Sequence, residues 1–145
     1  MTVTRERILE TLENRWGNYL ATYDELPQQL QVAFLNRQGY RRFADLLAHI
    51  IAWWRDALFA VDALLVDPDF EPPNREVDGF NAAAVAEFRD QDEHTVRQTF
   101  ERTRRALVDL VTRLSPEAFQ TEEIVARLNI EIVGHLTEHS LFDFH

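Results

Sequence analysis

Two histidines one helical turn apart carry the strongest chemical signal in this chain: His135 and His139, within IVARLNIEIVGHLTEH at residues 124–139. At i and i+4 on a helix, both imidazoles leave the same face with Cβ atoms roughly 6 Å apart. Ile124, Leu128, Ile132, Leu136 and Phe142 share that side of the helix, the apolar stripe that a helix buries against its neighbours. A third histidine, His49 in ADLLAHIIAWW, stands at the edge of another apolar face, beside Leu46 and Trp53. Burying an imidazole is costly unless one ring nitrogen finds an acceptor and the other a donor. A lone His49 finds such partners in an ordinary core. A pair on one stripe is harder to satisfy separately, and a divalent ion solves the problem because each neutral ring lends it a lone pair. Three neutral ligands leave a coordination position open, the catalytic pattern rather than the closed structural one. Such an ion lowers the pKa of bound water to about 7, or polarises a thiol or carbonyl. The expectation is therefore a metal site of His49, His135 and His139, with zinc or nickel as first choice. The competing reading is three histidines satisfied one by one.

Around these three, Trp53 follows His49 by one turn and could wall a pocket. Asp45 and Glu131 precede His49 and His135 by one turn, where each could accept an N–H from a ligand ring. Glu138 is rotated off the histidine face and is not assigned as general base. Asn81 reads as a helix cap, His94 amid Asp92 and Glu93 as a solvated helix-start residue, and His145 takes no role.

Four amphipathic helices are expected to position these groups. Residues 4–26 carry Ile8, Leu12, Trp16, Tyr19, Leu20 and Tyr23 at spacings of three and four, with Thr4 as N-cap and Pro27 as stop. Residues 27–39 are ambiguous, Leu30, Phe34 and Leu35 suggesting a helical turn that Gly39 breaks. A second helix spans 41–66, through Phe43, Leu47, Ile50, Trp54 and Leu58. Residues 68–78, with Pro72 and Pro73, form an extended crossover. The third helix covers 81–114 with a break near 89–92, and Ser115-Pro116-Glu117 is a compact helix-start signal. The fourth opens at Thr121-Glu122-Glu123 and runs to about Asp143. No segment alternates with period two, so no strand is expected. The architecture implied is an all-α four-helix bundle with a long crossover between helices 2 and 3, one domain over residues 1–145. The core of such a bundle is where metal sites are built from facing helices.

Composition removes several chemistries. Without cysteine there is no disulfide, thiolate ligand or cysteine nucleophile, and four glycines form no phosphate-cradling loop. All 15 basic residues are Arg, which excludes a Schiff-base lysine. A net charge of −10 argues against nucleic acid as partner. With neither a leader-like start nor an 18-residue apolar run, a soluble cytoplasmic protein without membrane association is expected.

The order of an LLAHIIAWW helix, a Pro-rich crossover, VDGFNAAAVAEFR, FERTRRALVDLVTRLSPEAF and a final GHLTEH resembles the DinB-like superfamily over residues from about 41 to 139, above all its ClbS/DfsB branch. The resemblance implies a bundle with a long crossover and a metal triad of one His from helix 2 and two from an H-x-x-x-H on helix 4. Those positions fall on His49, His135 and His139. Characterised relatives include transferases and isomerases that use low-molecular-weight thiols, and a self-protection hydrolase acting on a genotoxic cyclopropane. The function expected on this basis is a metal-dependent enzyme for a small-molecule substrate, a hydrolase or thiol transferase acting in detoxification. The alternative is a metal-free ClbS/DfsB-like binding or self-protection protein, with Trp53, Trp54 and Phe43 lining its core site. A homodimer is compatible with either.

Overall fold

A computed structural model describes residues 4–141; Phe142, Asp143 and His145 lie outside the described residues. The chain is all-helical, and no strand occurs among the described residues. α1 (Arg5–Glu10) starts at Thr4, whose hydroxyl accepts from the Arg7 N–H. The expected uninterrupted helix over 4–26 instead passes through a wide π-type turn (Thr11–Arg15) and a tight turn (Trp16–Asn18) before α2 (Tyr19–Glu25). Its apolar face survives both, with Ile8, Leu12, Trp16, Tyr19 and Tyr23 all buried. The ambiguous segment is a helix, α3 (Gln28–Gln38), and Gly39 ends it at φ 84°, a left-handed conformation that only glycine adopts without strain.

α4 (Phe43–Val66), about 36 Å long at 1.5 Å per residue, is the central element. Every residue from Phe43 to Ile51 is buried, so this half is enclosed on all sides, as its nearly unbroken apolar sequence requires. α4 packs against α5 (Val77–Glu87), α6 (Glu93–Arg113) and α7 (Glu122–Leu128). The predicted helix over 81–114 is thus two helices, because the chain turns between Phe88 and Asp92, and the Asp92 carboxylate caps α6 by accepting from the Thr95 N–H at 2.8 Å. α5 begins earlier than Asn81 and is capped by Glu76, so the reading of Asn81 as a cap is corrected.

The last segment continues from α7 through a π-type turn (Asn129–Gly134) into a single helical turn, α8 (His135–Glu138). Among the described residues helix ends there rather than near Asp143. The widened turn is locked into the core by two indoles: Trp16 donates to the Ile132 carbonyl at 2.8 Å and Trp54 to the Glu131 carbonyl at 2.9 Å. Tyr19 donates its hydroxyl to the His139 carbonyl at 2.7 Å and so pins the end of α8. Trp16, Trp54, Tyr19 and Phe100 form one aromatic cluster beneath this segment. No helix among the described residues is long and apolar enough to cross a membrane.

Candidate metal centre

The aromatic cluster sets the height and phase of the last helical segment, and thereby the two rings of His135 and His139. Against them α4 delivers His49, whose position on the border of its apolar arc left its direction open. It points inward. One ring nitrogen from each of the three lies within 4.8 Å of the other two, and all three residues are buried. Ring centroids are 5.0–5.5 Å apart.

Hydrogen bonds around two of the rings determine where their protons sit. Trp53 Nε1–H, a donor only, reaches one side-chain atom of Asn81 at 2.7 Å, which makes that atom the amide oxygen. His49 Nδ1 meets the same oxygen at 2.9 Å and must therefore carry its own proton. Gln38 Nε2 donates to the Glu138 carbonyl at 3.2 Å, which turns its oxygen toward His139 Nδ1 at 2.7 Å. That nitrogen too is a donor. Both Nε2 atoms are then bare lone pairs, and they face each other at 3.1 Å. Two acceptors at this distance repel unless a cation lies beside them. A proton could serve, but burial resists it. Burial first, then the neighbouring His49 and His135, push His139 down to about 3. Burial first, then the neighbouring His49, push His135 down to about 4, and burial lowers His49 against the Asn81 hydrogen bond. His135 Nδ1 is buried and makes no hydrogen bond. Neutral rings, converging lone pairs and Nδ1–H groups held by side-chain oxygens are what an imidazole-bound divalent ion requires. The three buried histidines could hold a metal.

The neighbours differ from the sequence expectation. Asp45 does not support His49; its carboxylate accepts from the Arg42 backbone N–H at 3.3 Å and from the Arg42 guanidinium at 2.7 Å, closing the start of α4. Its turn of helix points to that arginine, which sits three residues before it. Glu131 is buried beside the site, yet its Oε2 has no partner and only its backbone carbonyl is engaged. The role foreseen for Asp45 belongs to Asn81; Gln38 holds His139 instead, and no side chain takes the role foreseen for Glu131 at His135. Gln38 carried no signal at all, being 101 residues from its histidine in sequence. Glu138, expected off the histidine face, reaches its Oε2 back to 4.0 Å from His139 Nε2 while remaining largely exposed. Tyr40 is a further neighbour, its ring 5.8 Å from that of His49. His94 is exposed at the start of α6, as expected.

A cleft of about 560 Å³ opens beside the rings, and His49, Trp53, Asn81, Glu131 and His135 line it. Trp53 is one wall of it, braced by Phe80 at 4.4 Å between ring centroids. Burial pushes Glu131 up to about 7, Arg127 opposing while Asp56 and Glu138 add to the rise. A carboxyl whose folded pKa exceeds its unfolded one costs stability as pH rises through that interval. Glu131→Met, similar in volume and without the orphan oxygen, is expected to stabilise the protein by about 1 kcal/mol, most clearly above pH 7. Urea unfolding at pH 8 checks this, and a comparable loss of stability would mean that the carboxyl has a partner.

No protein-family model matches the chain, and no significant match was found among curated proteins or among solved structures.

Proposed function

We propose that the protein is a metal-dependent enzyme of the DinB-like type, a four-helix bundle whose His49, His135 and His139 hold a divalent ion, zinc or nickel. A small electrophilic molecule bound in the adjoining cleft would react there with water or with a low-molecular-weight thiol. The observation that carries this reading is the pair of Nε2 lone pairs at 3.1 Å, with both opposite nitrogens committed as donors. Support for the bundle comes from four helical stretches, 5–25, α4, α6 and 122–138, with the crossover falling between the second and third.

When bound, a divalent ion on three neutral imidazoles supplies Lewis acidity, bringing water or a thiol toward ionisation near neutral pH. The chain's own residues do the rest. Asn81 and Gln38 hold the outer N–H groups of His49 and His139 and so keep both rings in the ligating tautomer. Trp53, Tyr40 and the buried face of α4 keep bulk water off one side of the rings. Glu138, exposed and 4.0 Å from His139, gives protons a route between site and solvent. Detoxification of a reactive compound in the cytoplasm is the setting this chemistry suits.

The test is a reaction screen. Metal-stripped protein reloaded with zinc or nickel is offered activated esters and epoxides, each with and without a small thiol. Turnover should require the metal and disappear in His135→Ala. Turnover indifferent to both would sink the proposal. The cleft, with its tryptophan wall, also suits the metal-free sequestering reading; in that case compounds bind equally well with EDTA present.

A further inference from the structure

The oxygen of the Asn81 amide is fully engaged, and its nitrogen is not. Oδ1 accepts from Trp53 Nε1–H at 2.7 Å and from His49 Nδ1–H at 2.9 Å, so both of its lone pairs are spent. Two donors on one oxygen fix the plane of the amide and the side on which its nitrogen stands. Nδ2 has no hydrogen-bond partner among the described residues, and it is not enclosed either: the buried side-chain atoms left without a partner there are Glu131 Oε2 and His135 Nδ1. Asn81 is half-buried and lines the cleft together with Val77, one turn before it on α5. An NH2 group held in place, unspent and open to the cleft, is a donor available to a ligand.

The other donors of the lining are not prepared in this way. Arg127 is drawn to Asp56, its Nη1 standing 3.8 Å from Oδ2, and no hydrogen bond among the described residues orients the Asn129 side chain. The rim is apolar. Val77 and Ile130 are two of the few large hydrophobic side chains left exposed, at 56% and 59%, and both line this cleft together with Trp53.

We infer that Asn81 is a substrate-binding residue and that the cleft takes small carbonyl compounds, an aliphatic or aromatic body lying against Val77, Ile130 and Trp53 with its C=O accepting from Asn81 Nδ2. This names the class of electrophile for the reading above and rests on the cleft being the substrate site; the binding itself does not require the metal. The same amide holds the ring of His49, so it brings the carbonyl group beside the histidines. A hydrogen bond there draws electron density from the carbonyl carbon, the atom a nucleophile attacks, and strengthens as charge grows on the oxygen. An alkene of the same shape has no acceptor for Nδ2 and leaves it stripped of water and unpaired.

Acetophenone and α-methylstyrene share one shape and differ in a single group, C=O against C=CH2. Each is titrated into metal-free protein, with the Trp53 indole N–H followed by NMR. Asn81→Asp is the discriminating variant: one carboxylate oxygen still accepts from Trp53 and His49, while the other puts an acceptor where the NH2 group stood. It should weaken acetophenone about tenfold and leave α-methylstyrene within about twofold, the size expected when a neutral hydrogen bond is lost and two acceptors are opposed. Zinc uptake should survive this change, because a carboxylate is a usual partner for a ligating imidazole. Asn129→Leu should leave the ratio of the two affinities as it was. A ratio unchanged in Asn81→Asp, an equal loss of both probes, the same change of ratio in Asn129→Leu, or no binding of acetophenone to the parent overturns the inference. Zinc uptake by the parent separates the two ideas. Protein that shows the Asn81-dependent ratio but takes up no zinc keeps this inference and loses the metal enzyme, whereas protein that takes up zinc and keeps its ratio in Asn81→Asp does the opposite.

Discussion

His139→Ala is expected to abolish stoichiometric zinc binding, measured by calorimetry or by competition with a coloured chelator on protein carrying no histidine tag. His139 supplies one of the two Nε2 atoms that face each other at 3.1 Å, so its loss leaves His49 without the partner with which it would share an ion. His135→Ala and His49→Ala should behave alike. The supporting residues should matter less but measurably: Asn81→Leu and Gln38→Leu free an imidazole to take the other tautomer, and such outer partners are worth roughly 10–100-fold in metal affinity. The order of effects is the discriminating result. Ligand loss should exceed loss of the amide partner, while His94→Ala, exposed at the start of α6, should change nothing. If His139→Ala binds zinc as tightly as the parent, the three rings are not the site.

Acid should unfold the metal-free protein far more steeply than an all-helical chain with freely titrating histidines. His135 and His139 titrate near 6.5 when unfolded and near 4 and 3 when folded. A depressed folded pKa means that the unfolded state binds more protons, so the stability these rings allow is complete above pH 6.5 and is lost as pH falls toward 4. Glu131 works the other way, since its folded pKa of about 7 makes the native state the better proton binder between about pH 4.5 and 7. At pH 5.5 the two histidines together release nearly two protons on folding and Glu131 takes up nearly one, a net of about one proton. Stability should therefore rise with pH by at least about 1 kcal/mol per unit there. His49, lowered by the same burial, adds in the same direction. Urea midpoints at pH 5 and pH 7 read this directly, and the slope should shrink in a His135→Leu, His139→Leu double variant. Bound metal should steepen it, because ion and proton compete for the same nitrogens. A flat profile between pH 5 and 7 would mean that the rings are not held neutral.

Local periodicity accounted for most of the helical layout. The faces of α4 and α6 and the pairing of His135 with His139 follow from spacing alone, since side chains one turn apart must share a face. Where the reading failed, the deciding contact was distant. The π-type turn at Asn129–Gly134 has carbonyls engaged by Trp16 and Trp54, residues 116 and 77 positions away. Asp45 and Glu131 were plausible supports for the histidines by sequence distance, but Asp45 had a nearer cation in Arg42 and Glu131 was enclosed without a partner.

By itself, then, the chain's order of residues determined where most of its helices would lie, that two imidazoles would leave one helix together, and that thiolate chemistry was absent. Only tertiary packing decided that His49 turns inward and that amides rather than carboxylates hold its ring and that of His139. The physical reason is range. Helical phase is set within a few residues, whereas the direction of a side chain on the border of an arc, and the protons on a ring, are set by whichever donor or acceptor the fold brings alongside.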